Sequence, residues 1–363
     1  MQRKSVDKND IEMNKAKIHY YDIGDYLSRE DKLRIIKQFG SIERIPWTIL
    51  LPNEHGDWIN HRNEVFKQFI PIEPEKKFAK GQNSFFETYA IGVATNRDAW
   101  VYNSSQKTLE RNMRSMIDFY NKQRESYSNA IKANANLSVE EFIDTDDTKI
   151  SWTRSLRNNL RRNLQIQYNK EELNVGLYRP FQKQYIYFAP ELIESIGLSP
   201  KLFPTPTHKN LVICVSGIGS SKDFSVIITD CISDLQLQFN GQCFPLYWYD
   251  NSNADIMDLF YQNTENKDSY ERRDGISDWI LSTVRKQYGY KATKEDIFYY
   301  VYGLLHSPEY RTMFATDLKK SLPRLPLVEK ADDFWAFSKA GRELADLHLN
   351  YETVEPYRKC QVI

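Results

Sequence analysis

Four cysteines in 363 residues, none in a CxxC pair, leave no zinc spacing and no disulfide framework. Cys214, Cys231, Cys243 and Cys360 lie far apart, and free thiols are mostly buried, so three buried thiols and one exposed thiol in the tail are expected. The six histidines (His19, His55, His61, His208, His306, His348) show no metal-ligand spacing, and no metal site is expected. A signal peptide is absent, and no apolar run approaches the roughly 20 residues of a membrane span. Together these absences describe a reduced, soluble, cytoplasmic chain with no membrane partner. Charge of one sign is lacking too: 49 Lys and Arg balance 49 Asp and Glu. The molecule is therefore no polycation, and nucleic-acid binding would have to come from a local patch.

Catalytic signatures are equally scarce. No [ND]PP[YF] tetrapeptide marks an amino-methyltransferase site, and no GxGxxG is present. The stretch GIGSSK (217–222) lacks the GxxxxGK[ST] spacing and joins two strand-like runs, so no helix N-terminus is there to hold a phosphate. His306, Ser307 and Glu309 lie close in LLHSPEYR, which reads as the end of one helix and the cap of the next; adjacency does not make a triad. No catalytic residue is assigned.

What is present is a globular composition, 41% hydrophobic, long enough for two or three domains. The polar start followed by a strand at 17–21 reads as a chain entering partway through a domain, as a piece of something larger would. A helix follows at 28–40, with Ser28 as cap, Asp31 three residues on and Gly40 as stop. Residues 47–60 suggest a strand and turn, 71–82 a linker, and 85–102 one or two alternating strands. Leu109, Met113, Met116, Ile117 and Tyr120 predict one face of a long helix. After an acidic loop at 136–150, a second helix starts at Ser151 or Thr153, with Leu156, Leu160 and Leu164 in one stripe. Strands are expected over 175–188, 211–216, 224–229 and 243–249. Residues 250–278, with eight acids and three bases, read as a surface loop or insertion. Helices at 277–288, 294–305, 308–320 and 332–349 close the chain, the third capped by Ser307 before Pro308.

The charge distribution singles out one window: Ser151–Lys222 holds ten bases and four acids. Arg154, Arg157 and Arg161 form a stripe about a quarter turn from the leucines, read either as a face for DNA phosphates or as a solvated surface. In LYRPFQKQYIYF, strand alternation puts Arg179 and Lys183 on one face and Gln182 and Gln184 on the other, most rings going to the core. In LQLQFNGQ, Gln236 and Gln238 share a strand face, ahead of a turn centred on Asn240 and Gly241. Guanidinium and amide groups pair bidentately with guanine and adenine edges. The base-reading candidates are therefore Arg179, Lys183, Ser220, Ser221, Lys222, Gln236, Gln238, Asn240 and Gln242. For the Gly217–Lys222 loop, the alternative is a plain connection.

NRDAWVYN (96–103), SWTRSLRNNL, LYRPFQKQYIYF, VSGIGSSKDFSVIITDCISDLQ, GQCFPLYWYD, EDIFYYVYGLLHSPEYR, LPRLPL and FWAFSKAGRELADLHL occur in this order. In that series the chain resembles the C-terminal part of type ISP restriction–modification enzymes, over nearly its whole length. The family's layout joins a nuclease, a helicase-like motor, an adenine-N6 methyltransferase and a target-recognition domain in one polypeptide. AKIHYYDIGDYLSREDKL resembles the segment just after the methyltransferase core. The resemblance implies a mixed α+β fold: a β-sheet recognition core flanked by helices, preceded by a helical linker region and the tail of an α/β methyltransferase domain. It implies three parts: 1–75 the methyltransferase tail or its linker, 76–150 a strand and long-helix connector, and 151–363 the recognition domain. The partners implied are double-stranded DNA and the upstream methyltransferase and helicase domains. S-adenosylmethionine, ATP and Mg belong to those upstream domains, and none is expected in this chain, which by itself catalyses nothing. The reading from another class is an interaction or scaffold domain with no DNA specificity of its own; a stand-alone enzyme is disfavoured by the lack of catalytic motifs.

Overall fold

The computed structural model describes residues 17–251 and 270–355. The chain forms two compact units, Met1–Arg62 and Asn63–Ile363. In the first, strands β1 (Ile18–Tyr20) and β2 (Thr48–Leu50) pair antiparallel, and helix α1 spans Arg29–Phe39. The Ser28 hydroxyl accepts from the Asp31 amide at 3.1 Å, and Gly40 ends the helix at φ 69°, as the sequence predicts.

The second unit opens with β3 (Ile70–Pro71), β4 (Ala90–Ile91), a single helical turn α2 (Asp98–Val101) and β5 (Tyr102–Asn103). The alternation at 85–102 thus yields two-residue strands and a helical turn where one or two full strands are expected. Helix α3 (Gln106–Ala133) is capped by Ser105 and buries the predicted face, Leu109, Met113, Met116, Ile117 and Tyr120, with Tyr127 added. Truncating one of these buried side chains to Ala costs about 2–5 kcal/mol. After α4 (Val139–Phe142), α5 (Arg154–Arg161) is capped by Thr153. It buries Leu156 and Leu160 but stops before Leu164, which lies beyond the helix and is exposed.

The run read as one strand over 175–188 is a hairpin: β6 (Leu173–Arg179) turns through Pro180 and Phe181 into β7 (Gln182–Tyr187). Phe181 takes the positive φ, 57°, that the turn needs. Arg179 therefore faces Gln182 across the ladder instead of lying in one strand with Lys183. A short α6 (Ser199–Leu202) precedes β8 (Val212–Val215), β9 (Val226–Thr229) and β10 (Ile232–Ser233). Leu235–Gln238 is a 3-10 turn capped by Asp234, not a strand, so Gln236 is exposed and Gln238 buried where one shared face is expected. β11 (Gln242–Pro245) and β12 (Tyr247–Asn251) follow, and β13 (Tyr270–Asp274) pairs antiparallel with β12. The expected loop at 250–278 therefore has strands at both ends, with 252–269 outside the described residues.

Helices α7 (Asp278–Tyr288) and α8 (Lys294–Leu305) stand where expected. The predicted 308–320 helix breaks at Phe314 into α9 (Pro308–Met313) and α10 (Ala315–Lys320). β14 (Arg324–Leu325) returns to β3, and α11 (Ala331–Leu349) ends the described chain. Glycines let α8 and α11 cross closely: a Cβ at Gly303 would overlap the Phe337 carbonyl, and one at Gly341 the Tyr299 carbonyl.

Two four-stranded sheets organise the unit, β10–β6–β7–β5 and β4–β11–β8–β9. The second parts two apolar cores. Val212, Cys214, Ile227 and Cys243 face a core built with α3, α5 and the β6–β7 hairpin. Ile213, Val215, Ile228 and Phe244 face one built with α7, α8 and α11. Burial on both faces is why VICV and VIIT read as unbroken apolar runs. Residues of 76–150 and of 151–363 share the first core, through Leu109, Tyr120, Leu156 and Ile186. Cys214 and Cys243 are buried in it with their sulfurs 3.6 Å apart, Cys231 is partly exposed, and Cys360 lies outside the described residues. The α+β class is as expected.

Candidate nucleic-acid interface

Two loops meet at one end of the β4–β11–β8–β9 sheet. The first, 216–225, joins β8 to β9, as the reading of GIGSSK as a strand connection requires. Gly219 donates to the Lys319 carbonyl at 2.9 Å, and Ser220, itself buried, accepts from the Lys222 amide at 3.1 Å. Ser221 and Lys222 are left exposed, and Lys222 forms no ion pair among the described residues. The second segment, 234–242, leads into β11. Gly217 donates to the Phe239 carbonyl at 2.9 Å, and a Cβ at Gly217 would overlap the Asn240 carbonyl oxygen. Only glycine permits the two loops to lie this close.

The amides of the second segment divide by burial. Gln238 turns inward and accepts a hydrogen bond from Ser225, which ties the two loops from beneath. Gln236 and Asn240 are exposed, their side chains 3.4 Å apart, and Gln242 donates to the Asn240 carbonyl at 2.9 Å. Three amide side chains thus stand together at the rim.

Arg179 joins this rim through Asp234. One Asp234 oxygen accepts both from the Gln236 amide at 2.8 Å and from Arg179 Nη1 at 2.9 Å. Arg179 Nη2 lies 3.8 Å from Asp98, and the guanidinium sits 3.8 Å over the Tyr178 ring, whose hydroxyl donates to Asp98 at 3.1 Å. Burial pushes the Asp234 carboxyl up, the nearby Asp98 adds to this, and Arg179 with the Gln236 amide opposes it. The arginine is held as a planar fork with its position fixed before any partner arrives. Lys183 is placed differently. It lies in β7, 3.2 Å from Asp230 and 3.5 Å from the Leu349 carbonyl, facing the end of α11.

A cleft of about 480 Å³ adjoins the rim, with Asp234, Leu235 and Gln236 on one side and Asn96–Trp100, Asp147 and Ser151 on the other. Arg97 lies in its wall, buried, bonded to Thr153 at the start of α5. Burial pushes the Arg97 guanidinium down to about 10, against the pull of Glu194. On α5, Arg154 is exposed and 3.4 Å from Glu194, Arg161 pairs with Glu140, and Arg157 is half-buried. Half of the bases in the window are therefore matched by carboxylates: Arg154, Arg161, Arg179, Lys183 and Lys201 all have acidic partners.

The structure thus gathers Arg179, Ser221, Lys222, Gln236, Asn240 and Gln242 at one edge. It tucks Ser220 and Gln238 beneath them and sets Lys183 and the α5 arginines elsewhere. Sequence reasoning missed Asp98, Tyr178 and Asp234, which position Arg179. The signal was NRDAWVYN, whose central acid has no role in an isolated strand. Among the described residues no group of His, Cys, Asp or Glu could hold a metal, and no helix is long and apolar enough to cross a membrane.

The family model described as the Type ISP C-terminal specificity domain matches residues 84–362. No curated protein matches the chain. Among solved structures, a nuclease-deletion mutant of the Type ISP restriction-modification enzyme LlaGI with a DNA substrate mimic is 34% identical, with a TM-score of 0.75, over 94% of this chain and 29% of its own. The ATP-dependent Type ISP enzyme LlaBIII bound to DNA is 33% identical, with a TM-score of 0.77, over 95% of this chain and 21% of its own. A DrdV–DNA complex is 30% identical, with a TM-score of 0.79, over 94% of this chain and 31% of its own. The chain therefore spans a third or less of each of these proteins.

Proposed function

The chain belongs to the Type ISP C-terminal specificity domain family, and we propose on that premise that it reads the target sequence in duplex DNA for a larger restriction–modification polypeptide. One observation carries the reading: the exposed amides Gln236 and Asn240, the half-buried Gln242 and a pre-set Arg179 converge on one edge, where the Gly217–Lys222 loop packs against the 234–242 segment. Support comes from the solved relatives, which are DNA complexes along nearly the whole length of this chain.

Division of labour follows from the chemistry of these side chains. Amide and guanidinium forks can distinguish adenine and guanine edges in the major groove, while Arg154, Arg157 and Arg161 on α5 set the register on phosphates. The chain itself supplies recognition and no catalysis. Adenine-N6 methylation and ATP-dependent cleavage, with S-adenosylmethionine, ATP and Mg, lie in upstream methyltransferase and helicase domains. By holding its site, this domain sets which adenine the methyltransferase turns out of the stack. Residues 1–75, which include the first compact unit, are the methyltransferase end or its link.

Fluorescence anisotropy of this chain with labelled duplexes tests the reading. Binding should weaken steeply with salt, and Arg154→Ala with Arg157→Ala should lower the log–log slope by roughly 2, about 0.9 per lost phosphate contact. Asn240→Ala and Gln242→Ala should each cost about 1–3 kcal/mol at one base pair and relax preference there. Undetectable or salt-insensitive binding at low salt would refute the assignment.

A further inference from the structure

The rim carries two exposed apolar side chains that base-edge hydrogen bonding does not explain. Phe239 is 38% exposed and Ile218 57% exposed. They sit in the two loops that touch: the Phe239 carbonyl accepts from the Gly217 amide at 2.9 Å, and Ile218 follows Gly217 directly. Neither belongs to an apolar core, and Phe239 makes no ring–ring contact among the described residues. The exposed amides Gln236 and Asn240 and the half-buried Gln242 surround Phe239 in sequence.

The backbone makes the arrangement more pointed. Turn chemistry in FNGQ favours positive φ at Asn240 and Gly241, since Asn-Gly is the preferred pair. The chain instead places positive φ one residue earlier, at Phe239 (47°) and Asn240 (50°). Phe239 has ψ 98°, away from the centre of the left-handed basin, which bulky residues avoid. Gly241 stays buried, donating to the Leu235 carbonyl at 2.8 Å and accepting from Gly92 at 3.1 Å. A turn that could have been relaxed holds an aromatic residue outward under strain, and strain of this kind concentrates at working sites.

We propose that Phe239, with Ile218 beside it, is an apolar wedge that enters the base stack of the bound duplex at one step. This rests on the DNA-reading function above and adds deformation to it. The amides hydrogen-bond base edges around the wedge, and the wedge selects a step that unstacks easily, so sequence is read at base pairs with no hydrogen bond to the protein. The partner chemistry is a flexible pyrimidine–purine step of double-stranded DNA.

The test begins by enriching duplexes bound by this chain from a random pool. 2-Aminopurine is then placed at successive positions of each strand of the enriched site. With the native chain, fluorescence should rise at one step on binding, as the base unstacks. Phe239→Ala should abolish the rise and weaken binding about tenfold. Phe239→Gly suits the positive φ, so it should keep the thermal melt and lose the rise in the same way. A native complex with no rise at any position, or a rise that survives Phe239→Ala, would overturn the wedge. So would thymine-to-uracil replacement reproducing the loss, since that outcome means a methyl contact in the groove. Failure to enrich any duplex overturns the DNA reading and the wedge with it.

Discussion

Phe181 and Phe239 occupy the same kind of backbone in two different neighbourhoods. Both are turn residues with positive φ, 57° and 47°, and both leave much of the side chain exposed. Phe181, at the tip of the β6–β7 hairpin, lies edge-on to His348 at 5.3 Å and to Tyr351 at 5.4 Å, at the end of α11. Lys183, two residues on, strengthens the same joint by donating its amide to the Tyr351 hydroxyl at 3.2 Å. The Phe181 turn is thus compensated inside the protein, where it fastens hairpin to helix. The Phe239 turn has no such ring partner among the described residues. The difference teaches that strain alone does not mark a binding surface, since the Phe181 turn is answered inside the protein.

The comparison can be broken or sharpened by measurement. The largest effect is expected from Gly217→Val, which drives a branched side chain into the Asn240 carbonyl and forces the Phe239 turn away. A loss of about 3 kcal/mol in urea unfolding is expected, together with loss of DNA preference. Next, Phe181→Ala should cost about 2 kcal/mol, because it removes a ring that the α11 end packs upon, while Phe239→Ala should stay within about 0.5 kcal/mol. Equal losses at the two sites would end the distinction. A smaller effect concerns pH. Burial, with His348 and Arg311 nearby, pushes His306 down to about 4, and burial lowers His348 as well. Both rings are neutral in the fold, and their contribution is complete above the unfolded value of about 6.5. It is lost as pH falls from there toward 4, because the unfolded chain then binds protons that the fold refuses. The melting temperature should drop through that window, and less so in His306→Asn. A melt that does not drop through that window would show that protonation of these two rings is not linked to folding.

Much of this architecture is legible in the residues. Heptad-like spacing gives α3 its buried face, Thr153 and Ser307 act as caps, and VICV and VIIT announce strands covered on both sides. The β6–β7 hairpin is hidden because its turn is Pro-Phe, with no Gly or Asn to signal positive φ. LQLQ mimics strand alternation, yet Asp234 caps it into a 3-10 turn. At the site, the chemistry of Arg179 is visible but its neighbours are not. Asp234 lies 55 residues away and the Tyr178 partner Asp98 lies 80 away, and only tertiary packing joins them. Half the bases that make the Ser151–Lys222 window look like a phosphate surface are answered by carboxylates, some from outside the window.

The β4–β11–β8–β9 sheet, wedged between two apolar cores, has a consequence for how such a domain diversifies. A substitution on either face of its strands disturbs one core or the other, so neither face offers room for change. Freedom lies at the strand ends, where residues 217–222 and 236–242 meet around a single glycine. A new target preference can therefore arise by exchanging two short loops as a matched pair, with the rest of the chain kept as an inherited frame.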